Sequence, residues 1–194
     1  MRRASRIFYS VILMLMQNPR SRTEFLKKHH LYGSIGENCS IQKPKLPLYS
    51  NLIHIHNNVK IASNVGFLTH DIIHTMLNDK DPGGGYIERI GCIEIMDNVF
   101  IGAGTRILYG TRIGTNVIIG SDSLVNKDVP DNSVYAGVPA RYICTFDEYA
   151  KKAKEYSDKF KETYGISKFH GVNDDLAKRI YADFIREHEQ KKNS

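Results

Sequence analysis

Two series of residues return every six positions between Ile93 and Val129. The first series is apolar throughout and consists of Ile95, Ile101, Ile107, Ile113, Ile119 and Val125. The second lies two positions earlier and consists of Ile93, Val99, Thr105, Thr111, Val117, Ser123 and Val129. An amphipathic helix repeats near 3.6 residues and a half-buried strand near 2, so neither explains this spacing. A fixed short period instead predicts a repeat solenoid.

The period also predicts what one unit of the solenoid contains. Residues two apart point to the same face of a strand, so Val99 and Ile101 should enter the core together. Asn, Asp and Gly between the series, such as Asn98 and Gly102, favour turns because they tolerate positive φ. Three such units make a coil of about eighteen residues, and coils stack at a strand spacing of roughly 4.8 Å. The sequence therefore predicts an all-β parallel β-helix.

The repeat begins earlier, near Ile35, but it is interrupted twice. Two prolines, Pro44 and Pro47, fall in the first interruption, which predicts a bulge or a turn insertion. The second interruption covers residues 71–92 and includes the glycines at 83–85, so it is expected to be a loop rather than a strand. Long loops inserted into a rigid scaffold are usually functional.

The flanking segments divide the chain into residues 1–32, 33–145 and 146–194. An apolar run at 9–16 follows Arg2, Arg3 and Arg6, and it predicts a helix that packs on the coil or on a neighbouring subunit. The run is too short to span a bilayer, although contact with a membrane surface is an alternative for it. A second helix is expected over 22–30. Near the other end, Thr145 and Glu148 form a capping box that opens a helix, and another helix follows Asn173.

Composition limits the classes of ligand and partner that the protein is expected to bind. The net charge of +6 suits phosphorylated ligands, but it is too diffuse to indicate nucleic acid. The three cysteines are single and far apart, which favours a reducing, cytoplasmic setting over a disulfide framework or a zinc motif. His54 and His56 share one face of a strand and could hold a metal, but an exposed or stacked face is the better interpretation, and no metal is expected.

Four stretches of the repeat carry a resemblance to a known family. They are Asp-Asn-Val-Phe-Ile-Gly-Ala-Gly at 97–104, Ile-Gly-Thr-Asn-Val-Ile-Ile-Gly at 113–120, Val-Asn-Lys-Asp-Val-Pro at 125–130 and Ala-Gly-Val-Pro-Ala-Arg at 136–141. In these motifs the chain resembles the bacterial hexapeptide-repeat acetyltransferases, and it is most similar to galactoside and maltose O-acetyltransferases and to capsular-polysaccharide acetyltransferases. The resemblance covers residues 35–145. It implies a left-handed coil, a homotrimer and acetyl-CoA as the donor.

The resemblance assigns the catalytic base to His70, at the start of the interruption. Acyl transfer to a hydroxyl needs a group that takes the alcohol proton, and neutral imidazole suits that role near pH 7. Asp71 and His74 lie close by in sequence and are candidates for contact with the acceptor.

The resemblance also implies residues that bind the cofactor. Ala103 and Ser121 would offer backbone groups to the pantetheine arm, Asn126 and Lys127 would contact it further along, and Arg141 would meet the phosphates. Arg and Lys are the usual phosphate-binding residues. Galactoside-type members have a serine in place of Ala103, so any help from that hydroxyl to the developing oxyanion is lost here.

The resemblance therefore implies an O-acetyltransferase that modifies a sugar hydroxyl in polysaccharide biosynthesis. N-acetylation of an amino sugar, free or linked to a nucleotide, is one alternative, although such enzymes usually carry a nucleotide-binding N-terminal domain for which 32 residues are too few. A non-catalytic trimeric scaffold is the other, but it would not need His70, Lys127 and Arg141 together. Residues 71–92 would choose the acceptor, and they match no acceptor signature.

Overall fold

The computed structural model describes residues 3–192. The chain divides into two compact units, of which the first ends at Tyr149 and the second begins at Ala150. The first unit carries three parallel sheets and the helices α1 (Arg3–Leu15), α2 (Pro19–Lys28) and α3 (Ile73–Lys80). Helix α4 (Phe146–Tyr164) begins in the first unit and continues into the second, and α5 (Asp174–Lys192) lies in the second.

The strands of the coil fall into three parallel sheets. Sheet A contains β1 (Ser34–Ile35), β3 (Ile53–Ile55), β8 (Ile93–Ile95) and β11 (Thr111–Ile113). Sheet B contains β2 (Ser40–Ile41), β4 (Lys60–Ile61), β9 (Val99–Ile101), β12 (Val117–Ile119) and β14 (Ser133–Ala136), with β15 (Arg141–Thr145) antiparallel at its edge. Sheet C contains β5 (Gly66–Leu68), β10 (Arg106–Leu108) and β13 (Leu124–Val125).

The chain visits the three sheets in rotation. Strands β8, β9 and β10 lie in sheets A, B and C, and β11, β12 and β13 repeat that order. Each strand pairs with its counterpart one coil later, so that Val99 faces Val117 and Arg106 faces Leu124. The prediction of short parallel strands at six-residue intervals is confirmed.

The interior of the coil is formed by the two periodic series. The first series is completely buried from Ile95 to Ile119, and Val125 is nearly so. The polar members of the second series are also buried, and two of them share one acceptor: the hydroxyls of Thr105 and Ser123 both donate to the carbonyl of Gly120. These hydrogen bonds explain how the hydroxyls of Thr105 and Ser123 occupy core positions, whereas the hydroxyl of Thr111 is buried with no hydrogen-bond partner among the described residues.

A ladder of asparagines forms the corner that leads into sheet B. Its members adopt left-handed φ values between 54° and 58° and are Asn38, Asn58, Asn98, Asn116 and Asn132. The side-chain amide of each donates to the carbonyl oxygen of the next at 2.8–3.0 Å. Asparagine therefore serves this corner twice, because it tolerates the left-handed conformation and bonds successive coils together.

The segment at 71–92 is not the simple loop that its composition predicts. It contains α3, and strands β6 (His70–Asp71) and β7 (Arg89–Ile90) pair antiparallel across its base. The side chain of Asp71 accepts a hydrogen bond from the Ile73 N–H at the start of the helix. The expectation of a loop and not a strand was therefore wrong for both ends of the segment, because strand pairing at the base and local hydrogen bonding order residues on either side of the glycines. We call residues 71–92 the excursion.

The N-terminal helices pack as expected, with one correction to their bounds. Leu13 of α1 is completely buried in the core of the first unit, which confirms packing on the coil. Helix α2 begins at Pro19 and not at the expected residue 22, because the side chain of Asn18 caps it by accepting from the N–H groups of Arg20 and Ser21.

The C-terminal capping box is also present. The Thr145 hydroxyl accepts from the Glu148 N–H while the Glu148 carboxylate accepts from the Thr145 N–H. At the start of α5, the side chain of Asn173 accepts from the Leu176 N–H. Among the described residues, no helix combines the length and apolar character needed to span a bilayer.

Candidate active site

The ring of His70 lies where sheet C gives way to the excursion. Strand β5 ends at Leu68, the buried Thr69 follows, and His70 pairs with Ile90 across the base of the excursion. The ring is 24% exposed, and its Nδ1 atom is buried without a hydrogen-bond partner among the described residues. Nε2 is therefore the nitrogen that another molecule can reach.

Two residues that the sequence does not predict surround this ring. The carboxylate of Glu88 lies 3.8 Å from His70 Nε2 through its Oε1 atom, and its Oε2 atom accepts a hydrogen bond of 2.6 Å from the Tyr49 hydroxyl. The ring of Tyr49 also packs edge-on against the imidazole, with centroids 5.2 Å apart. The hydrogen bond to Glu88 raises the pKa of Tyr49, because it favours the protonated phenol.

The signals for these two residues were present but weak. Tyr49 lies in the first interruption of the repeat, and Glu88 lies in the excursion. The period stops in both stretches, so it cannot say which side chains meet. The only usable signal is that both residues lie in interruptions of the repeat, which is where the sequence predicts the catalytic base and the acceptor site to lie.

Asp71 is held by the coil. Its carboxylate accepts hydrogen bonds from the Tyr109 hydroxyl and from the Ile73 N–H, and the guanidinium of Arg89 lies 5.6 Å from the centre of the Tyr109 ring. The hydrogen bond from Tyr109 is the main cause that lowers the pKa of Asp71. The same bond raises the pKa of Tyr109.

His74 does not share the surroundings of His70. Together with Asp71, Leu77 and Tyr86 it lines a cavity of 450 Å³ that the excursion forms within itself, and His70 is not part of that lining. The side chain of Asn78, in α3, connects the helix to the segment that follows it. It donates to the carbonyl of Tyr86 and accepts from the N–H of the same residue. The two histidines therefore face different spaces.

Ala103 and Ser121 lie side by side at the corner between sheets B and C. Ile101 pairs with Ile119, and the carbonyl of Ala103 accepts from the Asp122 N–H at 2.7 Å. Both residues are exposed, and within residues 3–192 neither of their own N–H groups donates to the chain. Gly102 permits this close approach, because a Cβ there would lie 2.4 Å from the Ser121 nitrogen.

Asn126 and Lys127 lie at the other end of the strands of sheet C, the end from which the excursion departs. Leu68 pairs with Leu108, and Ile107 pairs with Val125. Residues 126 and 127 therefore leave their strand at the same end of sheet C as His70. Two strand spacings separate these rows, or roughly 10 Å. Both side chains are exposed.

Arg141 is the first residue of β15, which pairs antiparallel with β14 at the edge of sheet B. The preceding residue, Ala140, donates its N–H to the carbonyl of Leu124, the first residue of β13, at 2.8 Å. The Arg141 side chain is exposed and bonds only its neighbouring carbonyl among the described residues. Arg141 pairs with Ala136, and Ala136 lies against Gly120, the residue before Ser121. The structure thus places Arg141 at the corner where Ala103 and Ser121 lie, whereas Asn126 and Lys127 lie at the opposite end of the strands of sheet C.

His54 and His56 each have a polar partner on the face of sheet A. The Ser34 hydroxyl lies 3.1 Å from His54 Nδ1, and Glu94 lies 3.1 Å from His56 Nε2. Arg112 also bonds Glu94, and it is the main cause that lowers the pKa of that carboxyl. Within the described part of the chain, no three His, Cys, Asp or Glu side chains are grouped as metal ligands.

Comparison with known proteins identifies the family. The model for bacterial transferase hexapeptide repeats (six repeats) matches residues 93–127. Protein CapG of Staphylococcus aureus is 35% identical over 167 residues, which cover 84% of this chain and 94% of that protein. The chain belongs to the hexapeptide-repeat acetyltransferase family.

Two further members connect the family to a chemical activity. The galactoside O-acetyltransferase of Lactococcus lactis is 35% identical over 142 residues, 62% of this chain and 66% of that protein. A solved galactoside acetyltransferase in complex with coenzyme A is 26% identical, with a TM-score of 0.53 over 77% of this chain and 82% of that one. As a member of this family, the chain is an acyltransferase.

Proposed function

We propose that this enzyme transfers an acetyl group from acetyl-CoA to a hydroxyl group of a saccharide, with His70 as the general base. The observation that carries the proposal is the setting of His70: its reachable nitrogen is Nε2, and the ring is fixed between Tyr49 and the paired strands at the base of the excursion. A galactoside acceptor in two relatives supports the choice of a sugar.

The residues present fit the donor. Acetyl-CoA supplies an acyl group activated as a thioester. The exposed cations Lys127 and Arg141 suit its phosphates. The N–H groups of Ala103 and Ser121, which are unpaired within residues 3–192, suit the amide carbonyls of its pantetheine arm. Because residue 103 is alanine, that position offers only its backbone N–H, and no side-chain hydroxyl, to the developing oxyanion.

His70 moves one proton in each half of the reaction. Nε2 takes the proton from the acceptor hydroxyl as its oxygen bonds to the acyl carbon, and the imidazolium returns a proton to the sulfur as the thioester C–S bond breaks. The products are an acetyl ester and a free thiol. The acceptor would lie against the excursion, where it can reach His70.

We further infer that the coil is left-handed and that three copies assemble with the donor between subunits, as the family motifs at 97–104 and 136–141 imply. A closed three-fold arrangement would give each donor a second wall. The mass in solution at micromolar concentration tests the assembly, and a monomeric mass would contradict it.

The activity is tested by measuring thiol release from acetyl-CoA against a panel of methyl glycosides, amino sugars and nucleotide sugars. We expect thiol release with neutral glycosides and a product that hydroxylamine cleaves, since esters are labile and amides are not. An amide product would favour the N-acetyltransferase alternative. Absence of transfer to every acceptor, with a folded protein, would favour the scaffold.

A further inference from the structure

We propose that Glu88, held in place by Tyr49, binds a second hydroxyl of the acceptor beside the one that is acetylated, so that the enzyme selects acceptors with two neighbouring hydroxyl groups. The inference rests on the proposed function, because it uses His70 Nε2 as the atom that receives the first proton. It adds a residue that determines which acceptors are used.

The two oxygens of the Glu88 carboxylate have different surroundings. Oε2 accepts the hydrogen bond from Tyr49, whereas Oε1 accepts none from the described chain. The distance of 3.8 Å from Oε1 to His70 Nε2 is too long for a direct hydrogen bond. Both side chains are about one-quarter exposed, at 23% for Glu88 and 24% for His70. One acceptor atom on each residue is therefore left for another molecule.

These two atoms need two donors. An ionised carboxylate can only accept hydrogen bonds, and a general base accepts the proton of the reacting hydroxyl. A single hydroxyl has one proton and cannot serve both atoms. Neighbouring hydroxyls on a sugar ring are held side by side and offer one proton each, so they match a pair of acceptors 3.8 Å apart. An acceptor with one isolated hydroxyl would leave the carboxylate without its partner.

Tyr49 fixes the separation of the pair. Its hydroxyl holds Glu88 Oε2, and the edge of its ring packs on the imidazole of His70. One side chain thus sets the positions of both acceptors before the substrate arrives, which reduces the entropy cost of binding. This gives the first interruption of the repeat a role, because it is the stretch that brings Tyr49 to the excursion.

The proposal is tested by combining a protein change with an acceptor change. The acceptors are methyl galactopyranoside, glucopyranoside and mannopyranoside, and the best of them is compared with its analogues deoxygenated beside the acetylated position. The proteins are the full-length wild type, Glu88→Gln, Tyr49→Phe and, as a matched control, the exposed Glu155→Gln. The readout is kcat/KM for ester formation, with the product position assigned by NMR.

We expect the wild type to lose about 10- to 100-fold in kcat/KM on one deoxygenated analogue, since a hydrogen bond to a charged group is removed. Glu88→Gln should lose a similar factor on the parent glycoside and little more on that analogue, and Tyr49→Phe should show a smaller effect of the same kind. Glu155→Gln should behave as the wild type does on every acceptor.

Other results would overturn the proposal. Equal losses for Glu88→Gln on the parent and on every analogue would mean that Glu88 acts only through His70. Wild-type rates that are unaffected by deoxygenation would mean that no second hydroxyl is bound. Failure of the proposed function has a different signature, namely no ester with any glycoside or full activity in His70→Ala, and either result would overturn both proposals.

Discussion

The hydroxyl of Tyr109 donates a hydrogen bond to the carboxylate of Asp71, and this bond ties the base of the excursion to the neighbouring coil. Asp71 follows His70 directly and pairs with Arg89 through its backbone. Tyr109 follows β10, the strand that pairs with β5. The residue beside the proposed base is therefore anchored to the rigid part of the molecule.

Removal of this bond should loosen the excursion. In Tyr109→Phe, we expect faster amide exchange across residues 72–90 and a lower kcat, while the exchange of sheets A and B stays unchanged. Hydrogen exchange followed by mass spectrometry measures both regions in one experiment. Tyr181→Phe, an exposed tyrosine of the second unit, is the control. Unchanged exchange in Tyr109→Phe would show that the antiparallel pairing of β6 and β7 suffices by itself.

The stabilisation from the hydrogen bond between Tyr109 and Asp71 should depend on pH. The pKa of Asp71 is lowered from its ordinary value near 3.8, so its contribution is complete above that value and is lost as pH falls through the lowered pKa. The pKa of Tyr109 is raised, so its contribution is lost only as strongly alkaline pH rises through the raised value. At acid pH, the amide exchange of the excursion in the wild type should therefore become as fast as it is in Asp71→Asn. In Asp71→Asn, the exchange of the excursion relative to that of sheets A and B should not change as the pH is lowered.

His70→Ala should remove nearly all acetyl transfer and leave both acetyl-CoA affinity and assembly intact. A general base contributes about 10²- to 10⁴-fold, which corresponds to about 3–5 kcal/mol in the transition state. His74→Ala is the matched control: His74 lines a separate cavity, so its loss should be much smaller and should fall mainly on the KM of the acceptor. An inactive His74→Ala beside an active His70→Ala would show that the base was misassigned.

The regular part of this fold could be predicted because a coil repeats its environment. Every sixth residue points into the same apolar core, so Ile101 and Ile119 must both be apolar. The pattern is easy to recognise because it occurs many times in the sequence. The position of His70 directly before the excursion followed from the point at which the six-residue period stops.

The surroundings of His70 could not be predicted by the same means. Tyr49 and Glu88 come from the two stretches in which the period is broken, and their contact is fixed by tertiary packing over a separation of 39 residues. Helix α3 was hidden for a related reason: it is only eight residues long, and the turn-forming run at 81–85 follows it directly. Local hydrogen bonds at Asp71 set its start, and composition does not reveal them.

Lys127→Ala and Arg141→Ala should each raise the KM for acetyl-CoA, by about 10-fold, with little change in kcat. The reason is that phosphates lie far from the reacting carbonyl, and binding lost equally from ground state and transition state has this kinetic form. Initial rates at varied acetyl-CoA and saturating acceptor measure it. Lys152→Ala, an exposed lysine of α4, is the control. Unchanged KM in both variants would place the donor elsewhere on the coil.

Arg22 provides the last prediction, which concerns stability. Its side chain is completely buried, and its guanidinium donates to the carbonyls of Leu13, Met16 and Ile41. It therefore bonds the C-terminal end of α1 and the end of β2 at once, and burial lowers its pKa. Replacement by methionine removes this donor from three carbonyls, two of them in buried hydrogen bonds, which we expect to cost roughly 3–5 kcal/mol in the free energy of unfolding. The stability of Arg22→Lys should fall between those of the wild type and Arg22→Met, because an ammonium reaches fewer of the three carbonyls.

Denaturant midpoints at one fixed protein concentration measure the series, and the exposed Arg20→Met should stay within about 0.5 kcal/mol of wild type. Equal midpoints for Arg22→Met and Arg20→Met would show that water satisfies these carbonyls and that the N-terminal helices hold to the coil by apolar packing alone.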